Sequence, residues 1–369
     1  MNNKRVSFWE KIMIFLNVLA VFALLGSYIS VFIDPAVYWP TAFLGLAYPF
    51  ILAINLCFVL YWVICTRWWF LLSLAMAVAG YSYFRQTFSF RFLHTTPVEA
   101  DRHSLRVMTY NVHFFRNFDG PASSDVKSLM LQLIKNDRPD IICFQEYFTR
   151  SKGNYNTRDS IFRILHSRHY FFHQADSNKS EGYGLAIFSR YPITDTQYIP
   201  LNNERNNVNG AISADIQLDN KIVRVFCIQL QSIKFDPEDY KILEQVKSDK
   251  TPDMKFTRMV SHKLKWAFIK RSAQARLVAQ KIAASPYPVI VCGDFNDPPV
   301  SFALHTISKN LQNCFAQQGM GFARTYNGSF PNFQIDYILC SPVFGIQNYH
   351  IIEKELSDHF AVSSELSYH

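Results

Sequence analysis

Polar side chains stand at the C-terminal ends of several apolar segments of the sequence. Asn111 closes "RVMTYN" and Glu146 closes "DIICFQE". Asp294 and Asn296 follow "VIVCG" just before two prolines, and Asp336 interrupts "FQIDYIL". Strands packed side by side would gather these groups at one edge of a sheet. Mg²⁺ prefers oxygen ligands at about 2.0–2.1 Å and is usually held by one or two carboxylates. The pattern therefore predicts metal-assisted hydrolysis of a phosphoester.

The residue types also suggest separate roles within such a site. Glu146 is the natural metal ligand, and the neutral amides of Asn111 and Asn296 can orient water and phosphate without adding negative charge. His359, in "SDH", fits a general base, because an unperturbed histidine has a pKa of about 6.5. Asp336 could fix its tautomer through a hydrogen bond. Taken singly, each residue has an ordinary structural explanation, such as a turn or an exposed acid.

The elements that must position these groups begin after a strongly apolar N-terminal region. Residues 12–33, 41–65 and 68–84 carry no charge. A spanning helix needs roughly 20 apolar residues, so the pattern predicts three membrane helices within residues 1–85. A cleaved signal peptide is the alternative for the first segment. Its apolar core is too long for the usual signal region of about 7–15 residues, and two further segments follow.

Basic residues near the ends of these segments predict the orientation in the membrane. Lys4, Arg5, Lys11 and Arg67 fall on one side, against Arg85 and Arg91 on the other. The bias predicts a cytoplasmic N-terminus and an extracytoplasmic C-terminal part. We therefore expect an integral membrane protein of a bacterial-type inner membrane, with the lipid bilayer as a partner. No protein partner is predicted.

The remaining sequence divides into a polar linker, residues 86–104, and a domain over residues 105–369 with the composition of a soluble protein. Amphipathic helices are predicted at "SDVKSLMLQLIKN" and around Trp266–Leu277. Seven apolar strands among them predict a layered α/β sandwich; they are "LRVMTYNV", "DIICFQE", "YGLAIFSR", "KIVRVFCIQLQ", "PVIVCGDFN", "FQIDYILCS" and "FAVSSEL". Asp236 to Arg258 is predicted as a loop. The seven cysteines lack CxxC spacing and are predicted to be free thiols.

In this order, Asn111, Glu146, "GDFN", "IDY" and "SDH" resemble the endonuclease/exonuclease/phosphatase superfamily, which includes DNase I-like nucleases. "GYGLAIFSRYPI" is also similar to a core strand and turn of that family. The resemblance covers about Leu105 to Leu366. It implies a four-layered α/β sandwich and a site that uses Mg²⁺, or Mn²⁺ in its place.

Carried over by position, the resemblance implies that Glu146 and Asn111 bind the metal and that Asp358 is a further ligand. Asp294 and Asn296 would orient the attacking water and the phosphate. One departure stands at Gln229, where many members have a histidine that contacts the phosphate. Glutamine can donate a hydrogen bond to a phosphate oxygen but cannot deliver a proton at neutral pH.

The substrate class stays open at this level. A phosphodiesterase or nuclease is one reading, and the predicted membrane helices favour a phospholipid, as for a sphingomyelinase. After residue 100 the basic residues exceed the acidic ones by about five, which suits a phosphate group. No dense basic stripe with interleaved aromatic residues is apparent. A third reading, motivated by Gln229, is a tethered module that binds phosphate without catalysis.

Overall fold

The computed structural model describes residues 7–90, 103–116, 124–177, 181–202, 208–233, 254–328 and 332–368. Residues 91–102 of the predicted linker, residues 236–253 of the predicted loop, and Lys4 and Arg5 lie outside these ranges. Met254 to Arg258, also predicted as loop, form the first turns of a helix instead.

The N-terminal region folds into short and long helices: α1 (Phe8–Ser30), α2 (Pro35–Tyr38), α3 (Pro40–Leu46), α4 (Tyr48–Ile64), α5 (Phe70–Ala79) and α6 (Tyr81–Thr87). Within the described residues, α1 is the one helix that is long and apolar enough by itself to cross a membrane. Helices α3 and α4 pass that test only as a pair, bent by 63°. Helix α5 is a shorter apolar helix. The first predicted segment forms one uninterrupted helix, whereas bent or shorter helices replace the second and third.

The breaks in the second and third segments have local causes. Pro49 falls in the first turn of α4, where its missing N–H costs nothing, so the chain restarts a helix there after the bend. Helix α5 ends at Gly80, where an added Cβ would lie 2.0 Å from the Tyr28 hydroxyl oxygen of α1. A larger residue at this crossing would displace the Tyr28 ring.

Buried polar side chains join the three apolar segments. Ser73 Oγ of α5 lies 3.0 Å from Asn17 Oδ1 of α1 and 2.9 Å from Asn55 Oδ1 of α4. At one end of the bundle, Arg67 Nε lies 2.8 Å from Glu10 Oε1. Polar contacts of this kind hold helices together inside a membrane, where apolar surface alone gives little preference. The bundle is thus held by specific contacts.

The C-terminal domain contains two six-stranded sheets. The first has the order β13-β14-β2-β3-β5-β4 and the second the order β10-β12-β9-β8-β7-β6. The strands are β2 (His103–Asn111), β3 (Ile141–Arg150), β4 (His169–Ser177), β5 (Glu181–Ser189), β6 (Ile193–Ile199), β7 (Gly210–Leu218), β8 (Lys221–Gln229), β9 (Val289–Asp294), β10 (Gln312–Asn313), β12 (Asp336–Cys340), β13 (Gly345–Ile352) and β14 (Ala361–Tyr368).

The two sheets pack face to face, and helices cover both outer faces. Val107 and Ile141 of one sheet share a buried cluster with Val225 and Ile290 of the other. Outside the second sheet lie α9 (Met254–Ala283) and α10 (Phe302–Ile307); outside the first lie α7 (Ser124–Asp137) and α8 (Thr157–Leu165). This arrangement is the predicted four-layered α/β sandwich. All seven cysteines are free thiols, as expected.

The helical bundle and the sandwich share packed surface. Val300, in the loop after β9, is 2% exposed and lies in one cluster with Leu24 of α1 and Tyr48 of α4. Strand β1 (Phe88–Ser89), within the predicted linker, pairs antiparallel with β11 (Gly321–Phe322). Two polar contacts reinforce the junction. Arg85 Nη2 donates to the carbonyl of Ala316 in α11 (Cys314–Gln318), and Arg276 pairs with Asp34. The domain is therefore fixed against the bundle.

Candidate active site

Two parallel strand pairs bring the predicted residues together. In the first sheet, β2 runs parallel to β3 and aligns Asn111 with Gln145, one residue before Glu146. In the second, β8 runs parallel to β9 and aligns Gln229 with Asp294. Because parallel strands end at the same edge, both pairs deliver polar side chains to one end of the sandwich.

All eight predicted site residues surround one cavity at this end. Glu146, Asp294, Asn296, Asp358 and His359 line it directly. Asn111, Gln229 and Asp336 stand behind them, each bonded to a lining residue. Glu146 and His359 thus face the same space, as a shared phosphate requires.

A β-bulge directs Glu146 into the cavity. The register between β3 and β5 shifts between Phe144 and Tyr147, and Glu146 has a φ of 51°. This left-handed conformation is unfavourable for a residue with a Cβ, and such strain clusters at functional sites. The preceding Gln145 is buried and lies 3.3 Å from Thr109 through its amide oxygen. The bulge therefore places Gln145 in the core and the adjacent Glu146 in the cavity.

His359 and Asp336 form the predicted pair. His359 Nδ1 lies 3.0 Å from Asp336 Oδ2, and His359 Nε2 lies 3.8 Å from Asp294 Oδ2. Burial lowers the pKa of His359, but Asp336 and Asp294 outweigh burial and hold that pKa well above its usual value. Burial raises the pKa of Asp294 to about 7; His359 opposes this rise and Asp336 adds to it. The three groups form one strongly interacting unit.

The two asparagines hold Asp294 in place. Asn111 Nδ2 donates to Asp294 Oδ2 at 3.2 Å, and Asn296 Nδ2 donates to the same oxygen at 3.1 Å. The Asn296 backbone N–H donates to Asp294 Oδ1 at 2.9 Å, closing a turn typical of aspartate. The carboxylate thus keeps a fixed direction toward the cavity.

Glu146, Asn111 and Asp358 offer the oxygen donors that a hard divalent cation needs. Glu146 Oε2 and Asp358 Oδ1 both approach His113 Nδ1, at 3.5 and 3.7 Å, so the two carboxylates lie near each other. Burial raises the pKa of Glu146, but His113 and His359 outweigh burial and keep that pKa below its usual value. A set of oxygen donors that includes an ionised Glu146 fits Mg²⁺ or Mn²⁺.

A second cluster could also hold a metal. Ligand atoms of Asp294, Asp336 and His359 lie within 4.8 Å of one another. However, His359 Nδ1 and Asp336 already face each other at hydrogen-bond distance, which occupies a ligand atom of each. The Glu146 side of the cavity is therefore the better position for a hard ion.

Gln229 contacts the predicted metal ligand. Its Nε2 donates to Glu146 Oε1 at 2.9 Å, and the side chain is 1% exposed. The sequence predicts contact with phosphate at this position. The structure places the amide behind Glu146, where it orients the carboxylate.

We expect Gln229→Ala to weaken divalent-metal binding by about tenfold, because groups that orient a ligand typically contribute 10–100-fold to affinity. Isothermal titration with Mn²⁺ measures this directly. Gln217→Ala is the matched control, because the Gln217 side-chain amide donates to the carbonyl of Asp219 at a turn.

Gln229→His, which restores the common family residue, is expected to preserve or raise turnover. A tenfold fall in turnover for Gln229→His would contradict this expectation.

Several residues at the site were not identified from the sequence. His113 contacts both carboxylates, and its position two residues after the strand-ending Asn111 was the available signal. Tyr326 forms a β-bridge with His359 and places its ring 5.4 Å away. Arg271 of α9 is buried and pairs with Asp297 at 2.9 Å. No sequence pattern connects Arg271 or Tyr326 with the site, since both come from distant parts of the chain.

Comparisons with known proteins agree with this architecture. A model of the endonuclease/exonuclease/phosphatase family matches residues 108–359, and a model of a domain of unknown function (DUF8431) matches residues 10–87. No curated protein matches the sequence.

Solved structures share the fold at low sequence identity. An endonuclease/exonuclease/phosphatase from Beutenbergia cavernae DSM 12333 is 18% identical, with a TM-score of 0.52 over 72% of each chain. One from Bacteroides vulgatus is 19% identical, with a TM-score of 0.51 over 72% of this chain and 100% of the other. A functionally unknown conserved protein from Enterococcus faecalis V583 is 17% identical, with a TM-score of 0.50 over 72% of this chain and 100% of the other.

Proposed function

Because the chain belongs to the endonuclease/exonuclease/phosphatase family and is thus a metal-dependent hydrolase of phosphoester bonds, we propose that it is a membrane-anchored, Mg²⁺-dependent phosphodiesterase. The observation that carries the proposal is the contact of His359 with Asp336 beside Asp294, in a cavity that Glu146 and Asp358 also line. An acid–base pair and oxygen donors for a cation then face one substrate.

The proposed reaction is hydrolysis of a P–O bond by water. Asp336 accepts the Nδ1–H of His359, and in the neutral form of the imidazole Nε2 takes a proton from the attacking water. Because the neighbouring aspartates hold the pKa of His359 above its usual value, this neutral form becomes more abundant as the pH rises. The water oxygen bonds to phosphorus, and the bond from phosphorus to the leaving oxygen breaks. Asp294 and Asn296 orient the water and the phosphate.

A divalent ion bound by Glu146, Asn111 and Asp358 would neutralise charge on the phosphate and on the leaving oxygen. Gln229 lies behind Glu146 and has no proton to give at neutral pH, so it does not protonate the leaving oxygen. Solvent supplies this proton where the leaving group needs one, and a leaving group that is a weak base needs none.

Membrane anchoring is supported by the surface of the N-terminal helices. Most of the exposed large apolar side chains in the described part of the chain lie between Phe8 and Phe90. The contact of Glu10 with Arg67 places the start of α1 and the segment before α5, which both carry basic residues, at one end of the bundle. At the other end, Asp34 contacts Arg276 of the catalytic domain. This geometry agrees with a cytoplasmic N-terminus and an extracytoplasmic catalytic domain. Resistance to carbonate extraction tests the anchor, and protease accessibility in intact spheroplasts tests the orientation.

The activity itself is tested with the full-length protein in detergent. The substrates are bis-p-nitrophenyl phosphate, plasmid DNA and sphingomyelin, each with Mg²⁺, with Mn²⁺ and with EDTA. We expect hydrolysis of at least one phosphodiester, its loss in EDTA and its recovery when Mg²⁺ is restored. Failure to cleave any of the three above the EDTA background would favour the non-catalytic phosphate-binding module that Gln229 suggests.

A further inference from the structure

Side chains of two chemical kinds line the catalytic cavity. Beside the catalytic side chains, six apolar side chains line it: Leu46, Ile233, Leu264, Phe268, Phe333 and Ile335. We call these six side chains the apolar wall. The cavity has a volume of about 250 Å³, below the roughly 300–1,000 Å³ of ordinary ligand sites. It has room for a phosphoester and a short length of hydrocarbon, so a longer chain must leave the cavity.

The N-terminal helices contribute to the apolar wall. Leu46 is the last residue of α3 and lies at the bend before α4. One turn earlier, the ring of Phe43 meets Phe268 of α9 edge to face, with centroids 5.4 Å apart. On the far side of the bend, Phe50 of α4 meets Phe333 in the same manner at 6.4 Å. The bend of the helix pair therefore lies at the cavity.

Close packing fixes α3 against the catalytic domain. A Cβ at Gly45 would lie 2.4 Å from the carbonyl oxygen of Val300, so any other residue would push the helix away. Val300 belongs to the loop that begins with the catalytic turn at Asp294 and Asn296. This contact therefore fixes the distance between Leu46 of the apolar wall and the catalytic turn.

From the cavity, apolar surface continues along α4. Phe50 and Ile54 are one turn apart and are 58% and 50% exposed. Exposed apolar side chains at successive turns of a helix face lipid when that helix lies in a membrane. A hydrocarbon chain that leaves the cavity past Phe333 and Phe50 would remain in apolar surroundings.

The charges around the cavity do not suit a nucleic acid. Among its described lining residues, Arg271 is the single Lys or Arg, and its guanidinium is paired with Asp297. Binding of a nucleic-acid strand relies on several cationic contacts with successive phosphates. A single phosphoester that carries an apolar chain matches the catalytic side chains and the apolar wall better than a nucleic-acid strand does.

We infer that the substrate is a lipid phosphodiester, with the phosphate at Asp294 and His359 and the first part of the hydrocarbon chain against Leu46 and Phe333. This inference rests on the proposed function, because the phosphoester must react at the site described above. The substrate reaches the site from the bilayer, past the bend between α3 and α4.

The test compares methyl p-nitrophenyl phosphate with hexyl p-nitrophenyl phosphate as substrates of the full-length protein. Both assays contain Mg²⁺ and the same concentration of nonionic detergent. Both substrates are phosphodiesters with the same leaving group and differ only in the alkyl chain. We expect kcat/KM to be at least about tenfold higher for the hexyl ester, because each fully buried methylene contributes about a fourfold change. Equal values for the two esters would overturn the inference while leaving the proposed function intact.

Variants separate binding at the apolar wall from simple partition into detergent. Leu46→Ala and Phe333→Leu should each lower the hexyl-to-methyl ratio by about threefold or more. Leu60→Ala, at an exposed leucine of α4 remote from the cavity, is the matched control and should keep the wild-type ratio. A ratio that is unchanged in both cavity variants, or reduced equally by Leu60→Ala, would overturn the inference. So would faster cleavage of a single-stranded oligonucleotide than of the hexyl ester. No hydrolysis of any substrate would remove the proposed function, and the inference with it.

Discussion

His359→Asn is expected to lower kcat on bis-p-nitrophenyl phosphate by about 10²- to 10⁴-fold, the usual contribution of a positioned general base. Asparagine retains a side chain that can donate to Asp336 but cannot accept a proton from water at neutral pH. The loss should appear in kcat rather than in KM, because the proton is transferred in the transition state. Steady-state kinetics at saturating Mg²⁺ measure it.

The chain supplies a matched control for this substitution. His350 of β13 also contacts an aspartate, with its Nε2 2.9 Å from Asp137 Oδ1, but it lies outside the cavity and is partly exposed. His350→Asn should leave kcat within about twofold of wild type, as expected of a surface substitution. Comparable losses in the two variants would remove His359 from the role of base.

Glu146→Gln is expected to weaken binding of Mg²⁺ or Mn²⁺ by at least about 100-fold, since loss of an orienting group alone costs about 10–100-fold. The substitution removes a negative charge while keeping the shape of the side chain. Activity at moderate Mg²⁺ should fall with the loss of metal and recover in part at high Mg²⁺. Recovery distinguishes loss of affinity from loss of the fold.

A second measurement for Glu146 does not depend on turnover. A ligand that binds only the folded state raises the unfolding temperature, so Mg²⁺ should raise Tm for the wild-type protein. This increase should vanish for Glu146→Gln and persist for Glu365→Gln, whose side chain pairs with Arg106 on the sheet surface. An equal Mg²⁺-induced increase in Tm for Glu146→Gln and wild type would refute the metal-ligand role.

The strands that carry the site could be predicted because each strand has apolar residues on both faces and a polar residue at or near its C-terminal end. β2, β3, β8 and β9 are of this kind. β2 and β9 end at Asn111 and Asp294, whereas β3 does not end at Glu146, as the sequence predicts, but continues to Arg150. The strands at the sheet edges were missed because they lack this pattern, and the buried inner strand β7 was missed as well. β6 is mostly exposed and reads "ITDTQYI", which does not stand out from a loop. Its position depends on pairing with β7.

Features that arise from tertiary packing could not be predicted. The bulge at Glu146 appears only as a mismatch between β3 and β5, and the contact of Gln229 with Glu146 joins residues from different sheets. The close approach of Gly45 in α3 to the carbonyl of Val300 also joins distant parts of the chain. The identities of the residues were enough to predict which side chains form the site. The contacts between those side chains could be learned only from the folded structure.

The shared packing of bundle and sandwich has a practical consequence for truncation. Excising residues 1–90 to obtain a water-soluble enzyme would uncover Val300, which is 2% exposed in the intact chain, and would remove β1 from the edge of β11. Bare apolar surface and an open strand edge promote aggregation. Biochemical work on this hydrolase therefore calls for the intact polypeptide in detergent or nanodiscs.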